Sequence, residues 1–240
     1  MRILALDTAT ENCSAALFVN GALLEREELL GRGHAERILS MVSELLAEAA
    51  VPLRSLDALA FGCGPGAFTG VRLAASVTQG LAFGAALRVV PISDLRALAQ
   101  RVLAEEPAAQ QVLVCMDARM REVYCGAFER SSEGTAVAVA EEQVLGPLAV
   151  QLPPQWQAAP RATILGAGSG FAAYPPLREA LAQQLGGVRD QLWPRAAEIA
   201  RLAVTEVSAS RTRAPEEALP VYLRNDVARA PSAGALKSLI

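Results

Sequence analysis

The stretch Phe61-Gly62-Cys63-Gly64-Pro65-Gly66-Ala67-Phe68-Thr69-Gly70-Val71-Arg72 combines the residue types that an anion-binding loop needs. Gly64 and Gly66 permit backbone dihedrals that a Cβ resists, and Pro65 fixes one φ between them. Thr69 suits a helix N-cap, its hydroxyl accepting from the free N–H groups of the first turn. Strand, glycine loop and helix in that order would aim unpaired amides and the helix dipole at one point. Asp7 joins Gly64, Gly66, Thr69 and Gly70 as a candidate nucleotide site. It closes an apolar strand, as Asp117 does later, and phosphoryl transfer uses such aspartates to reach magnesium or a water. A plainer reading stays open: a tight strand-to-helix turn that holds nothing, with aspartates that only cap turns.

Other chemistry is excluded by what the chain lacks. Lys237 is the only lysine, so a P-loop or Schiff-base lysine would require the tail to fold back. His34 is the only histidine, which rules out multi-histidine metal sites; alone at a helix start, it reads as a cap or surface residue rather than a ligand. Cys13, Cys63, Cys115 and Cys125 form no C-x-x-C pair and read as reduced core thiols. The net charge of −3 and pI of about 5.4 argue against a protein that grips nucleic acid unaided. With 52% hydrophobic residues the chain can bury a sizeable core. The early Asp7 argues against a signal peptide, and no apolar run suggests a membrane span, so the expected location is cytoplasmic.

The elements that must position these residues follow from periodicity. Strands are predicted at 2–8, 13–19 and 22–30, with Asn20-Gly21 as the hairpin turn. A helix runs from His34 to about residue 50. Its apolar residues Ile38, Leu39, Met41, Val42, Leu45, Leu46 and Ala49 span roughly 160°, wider than the ~100° that one core face requires. The strand at 57–61 feeds the glycine loop, and a helix over about 70–84 is small or apolar almost all round. Arg72, Ser76 and Gln79 are its only polar strip. A strand at 87–91 and a helix from Ser93 to about 104 complete a first unit. The layout then repeats: an apolar strand closing on Asp117, strands at 121–130 and 135–144, and Thr163-Ile164-Leu165 running into Gly166-Ala167-Gly168-Ser169-Gly170. Helices are predicted around 176–185 and over 196–207, and an extended segment over 220–224. The fold class is therefore α/β, a two-lobed duplication: one lobe over 1–106, a second over 107–225, and a flexible tail over 226–240.

Two such units resemble the actin, Hsp70 and sugar-kinase architecture, in which nucleotide binds between the halves. Ile3-Leu4-Ala5-Leu6-Asp7-Thr8-Ala9-Thr10, the 64–72 loop, Gly80-Leu81-Ala82, Asp117-Ala118-Arg119-Met120-Arg121-Glu122-Val123-Tyr124 and Pro220-Val221-Tyr222-Leu223-Arg224 together resemble the bacterial TsaB (YeaZ) family. That resemblance implies a non-catalytic subunit needed for threonylcarbamoyl modification of the adenosine beside the tRNA anticodon. It implies a TsaD-type partner that carries the metal and the chemistry, a TsaE-type ATPase that joins the pair, and a homodimer when the chain is alone. ATP or ADP and the metal would belong to the partners, none being held tightly by this chain, and tRNA would be met only through the complex. The implied pairing surface lies on the two N-terminal helices: His34, Leu39, Met41, Leu45, Leu46, Arg72, Leu73, Ala75, Ser76, Gln79 and Gly80. Burial within one chain explains their apolar character equally well. The competing class is an ATP-dependent phosphotransferase of the same fold; against it, the 7–10 turn has no glycine to let a phosphate approach.

Overall fold

The computed structural model describes residues 1–224. Its first sheet has the order β3-β2-β1-β4-β5: β1 (Arg2–Asp7), β2 (Asn12–Val19), β3 (Ala22–Leu29), β4 (Ala58–Gly62) and β5 (Arg88–Ile92). The first three strands pair antiparallel, and β1, β4 and β5 run parallel. The second sheet repeats the scheme with β6 (Gln111–Asp117), β7 (Val123–Arg130), β8 (Ala136–Ala138), β9 (Gln143–Leu145), β10 (Ile164–Ala167) and β11 (Gly187–Arg189). Here β6 pairs antiparallel with β7 and parallel with β10, and β10 pairs parallel with β11.

Each strand's alternation assigns its residues to two layers. Leu4 and Leu6 of β1 face α1 (His34–Glu48) and α2 (Phe68–Ala85), whose Ile38, Met41, Val42, Leu45, Ala74 and Ala75 fill that side. Ile3 and Ala5 face the other way, with Ala16, Ala58 and Ala60, onto α6 (Ala196–Ser208). Alanines on both surfaces let helix and sheet approach closely. In the second sheet, Val112, Val114 and Met116 pack on Leu95, Leu98 and Val102 of α3 (Asp94–Glu105). The opposite face carries Trp156, with Phe171 of α4 (Gly170–Ala173) and Leu177 and Leu181 of α5 (Pro175–Leu181), the short helices that follow the second glycine loop.

The cut at residue 106 therefore follows the sheets but not the helices. The helix that closes the first half covers the second sheet, and α6 from the second half covers the first. Between the sheets α3 and α6 touch, with Arg96 donating to Glu206 at 2.9 Å.

Several local expectations change. Thr69 is not the N-cap: α2 starts at Phe68 after Ala67, no side chain caps it, and Thr69 is exposed in its first turn. Ser93 does cap α3, accepting from the Arg96 N–H at 3.2 Å. The strand expected at 121–130 begins at Val123, because Arg119, Met120 and Arg121 form a left-handed turn. The strand expected at 135–144 is split into β8 and β9, which pair with different parts of β7, and Glu142 between them turns to bond Ser93 Oγ. The helix expected at 176–185 is α5, which begins at Pro175 with Pro175 and Pro176 in its first turn and ends at Leu181; the one-turn α4 precedes it. The 220–224 segment joins no sheet, and the 226–240 tail lies outside the described residues.

Candidate functional site

A cleft of about 1050 Å³ separates the lobes. Thr8 to Thr10, His34 and the 65–73 stretch line it on one side, and Met116 to Met120 with Ser169 on the other. The glycine loop borders this cleft, and three of its amides already have partners. Cys63 N–H donates to Ile92 O at 2.9 Å, Gly64 N–H to Asp94 Oδ2 at 2.5 Å and Ala67 N–H to Ala9 O at 2.7 Å. Gly66 and Gly70 are glycines because the 8–9 backbone lies directly on them. A Cβ at Gly66 would fall 2.5 Å from Ala9 O, and one at Gly70 2.0 Å from Thr8 O. On this side the loop packs directly against the turn after β1.

The two strand-end aspartates do the same local work. The Ala9 N–H donates to Asp7 Oδ1 at 2.8 Å, and the Arg119 N–H to Asp117 Oδ1 at 2.8 Å. Both are turns closed by a side chain two residues back. Asp117 also accepts from Tyr174 Oη at 2.8 Å. Asp7 is completely buried, and its carboxyl meets that of Asp94, also completely buried, over the Cα of Gly62. Asp7 Oδ2 and Asp94 Oδ1 have no hydrogen-bond partner among the described residues. Burial pushes Asp7 up to about 6 and Asp94 well above the usual carboxylate range, the latter raised further by the Asp7 charge. Near neutral pH the pair thus keeps one proton, and a proton between the carboxyls suits the two orphaned oxygens.

Elsewhere the reactive groups are occupied or suppressed. A ring nitrogen of His34 bonds Thr10 O at 3.0 Å. Burial pushes the thiols of Cys13, Cys63 and Cys115 up, away from the thiolate. Among the described residues no group of three or more His, Cys, Asp or Glu side chains is placed to hold a metal ion. None of the described helices is long and apolar enough to cross a membrane.

The family model for TsaD, tRNA N6-adenosine threonylcarbamoyltransferase, matches residues 27–158. The chain is 40% identical over 235 residues to the tRNA threonylcarbamoyladenosine biosynthesis protein TsaB of Escherichia coli, covering 95% of this chain and 96% of that protein. It is 41% identical over 234 residues to the protein of the same name from Haemophilus influenzae, with 95% of each covered. The chain belongs to the TsaB family. A solved structure described as YeaZ from Pseudomonas aeruginosa matches with a TM-score of 0.85 and 43% identity, covering 92% of this TsaB-family chain and 99% of that one.

The residues singled out on the two helices of this TsaB-family chain fall into three places. Met41, Leu45 and Ala75 belong to the chain's own core, which leaves them no outward surface. His34, Arg72 and Leu73 line the cleft. Leu39, Ser76 and Gly80 face outward, Leu46 is half-buried, and Gln79 donates to Pro215 O at 3.3 Å. Sequence reasoning missed three features. Phe83 is 59% exposed on α2. Arg72 stacks 3.7 Å from the Phe68 ring centroid while its Nε donates to Tyr222 Oη at 2.7 Å. Asp94 is the partner of Asp7; a Ser-Asp pair reads only as a helix start, and nothing local marks its burial.

Proposed function

We propose that this chain is a non-catalytic subunit for threonylcarbamoyl modification of the adenosine beside the tRNA anticodon. It acts by pairing its α1–α2 surface with a TsaD-type transferase and activating it. The observation that carries this reading is the outer surface of those helices. Leu39 and Phe83 are 50% and 59% exposed, large apolar groups on helices whose inner faces are already filled. Beside them Ser76, Gly80 and Gly84 recur every fourth residue, and a Cβ at either glycine would meet nothing within 4 Å. A second helix pair can lie close against such a surface and cover the two large side chains.

The names of the relatives point to the same pathway, and the match to the TsaD model fits descent from a common fold. In this reading the metal, ATP or ADP and the transfer chemistry reside in the TsaD-type subunit and a TsaE-type ATPase. The tRNA is reached only through the complex, in the cytoplasm, and the chain alone pairs with itself through the same helices. Asp7 Oδ1, His34 and the Cys63, Gly64 and Ala67 amides make internal bonds, which supports a role without catalysis.

Co-purification of Gly80→Arg and Phe83→Glu variants with the TsaD-type subunit tests this. Both variants should melt as the parent does, yet lose at least ~10-fold in affinity for the partner, as hot-spot disruption does. Pairing at parental strength would overturn the surface assignment. Titration of the isolated chain with magnesium-ATP tests the other class: tight binding with turnover would replace the scaffold by a phosphotransferase.

A further inference from the structure

Beyond α6 the chain does not stay with the second lobe. Arg213 bridges to Val89 at the edge of the first sheet, and the turn at Pro215–Glu217 packs against α2. Ala218 is buried in the α1–α2 core. The next six residues then cross from one lobe to the other. On the first lobe, Val221 N–H donates to Cys63 O at 2.7 Å. Val221 O lies against Gly64, where a Cβ would come within 2.8 Å of it. Tyr222 accepts from Arg72 at 2.7 Å, and its ring lies 5.9 Å from that of Phe68. On the second lobe, Arg224 donates to Ala118 O at 3.1 Å, contacts Met120 Sδ at 3.4 Å and pairs with Glu122.

What Arg224 grips is itself unusual. Arg119, Met120 and Arg121 have φ of 60°, 54° and 61°, three successive non-glycine residues in the left-handed region. Each such residue costs of order 1 kcal/mol or more unless its surroundings hold it. The turn is closed by the Ala118 N–H to Glu122 O and Glu122 N–H to Arg119 O bonds, both 3.0 Å, and Arg224 spans its two ends. The other ion pair across the cleft, Arg119 to Glu11 at 3.8 Å, is 78% and 59% exposed and holds little.

We propose that residues 219–224 are a latch that fastens the second lobe to the first and closes the Gly64 side of the cleft. Its jaws are the Phe68–Arg72–Tyr222 stack and the Arg224–Ala118–Glu122 grip. Releasing the latch frees the lobes to open about the α3–α6 contact and exposes the glycine loop. The inference does not depend on the pairing proposed above, since neither jaw includes Leu39, Phe83 or Gly80.

Spin labels on Glu36→Cys and Ala172→Cys, exposed positions one on each lobe, report the opening in the full chain. All four native cysteines are buried, so labelling is selective. The parent should give one narrow distance. The Tyr222→Ala/Arg224→Ala double variant should give a broader, longer distribution, with amide exchange at Glu122 faster by at least ~10-fold, as local opening requires. Should the double variant fail to fold, Tyr222→Phe with Arg224→Lys loosens each jaw without emptying it, and should broaden the distribution to a lesser degree. An unchanged distance distribution in the folded variant, from either pair, would overturn the latch and leave the lobes held without it.

Discussion

Replacing Asp7 by asparagine should stabilise this protein at neutral pH and leave it unchanged in acid. In the unfolded chain Asp7 ionises near 3.8, and burial raises this to about 6 in the folded one. Below the lower value both states hold the proton and burial exacts nothing. Between the two, the unfolded chain releases a proton that the folded chain retains, so stability falls as pH rises. By pH 7 the loss amounts to about 3 kcal/mol, two pKa steps at ~1.36 kcal/mol each. Asparagine keeps an oxygen for the Ala9 N–H and cannot ionise, and its amide can donate to Asp94. The assay is paired thermal or urea unfolding of variant and parent from about pH 4 to 8, read as a difference so that the carboxylates other than Asp94 cancel. The difference should start near zero and rise through pH 6. At pH 7 it corresponds to ~6–12 °C in Tm for a chain of this size. A variant equally or less stable than the parent at pH 7, with a flat difference curve, would refute the account of the pair.

Ala75→Glu should unfold the chain rather than spare it and block pairing, since Ala75 is 4% exposed in the core; a melting point lower by the equivalent of ~3 kcal/mol or more is expected for an unpaired buried charge. Gly70→Ala should cost ~2–4 kcal/mol in urea unfolding, because its Cβ would collide with a backbone carbonyl that cannot swing aside. Glu198 is fully buried, accepts two bonds from Arg195 at 2.9 Å and one from Arg201 at 2.8 Å, and its replacement by alanine should cost ~3–5 kcal/mol. Arg201→Ala, removing the more exposed partner, should cost under ~1 kcal/mol in the same melts.

Periodicity carried the architecture well where neighbours in sequence are also neighbours in space. The apolar runs of β1 and β6, the Asn20-Gly21 turn and the helix start at Ser93 are all short-range signals, and the structure keeps each of them. The duplication extends to the side-chain bond that each strand-end aspartate makes two residues on. What failed was anything decided by distant parts of the chain. Thr69 is chemically a good cap, but the docking of Thr8 and Ala9 sets where α2 begins. Ala75 and Ser76 are adjacent small residues on one helix, and only the sheet beneath determines that the first is inside. The glycine loop was read for the amides it could offer, whereas Asp94, Ile92 and Ala9 take those of Gly64, Cys63 and Ala67. Tyr222 and Phe83 fell inside segments the sequence marked, but the contacts of the one and the exposure of the other acquire meaning only from what lies opposite.

The exchange of α3 and α6 between the halves makes the chain hard to divide. A fragment ending at residue 106 would carry Ile3, Ala5, Ala58 and Val90 uncovered on one side, and its last helix would have nothing to lie on. The remainder would leave Val112, Val114, Phe128 and Leu165 bare. Each piece by itself should precipitate or associate through these surfaces, while the two expressed together should recombine.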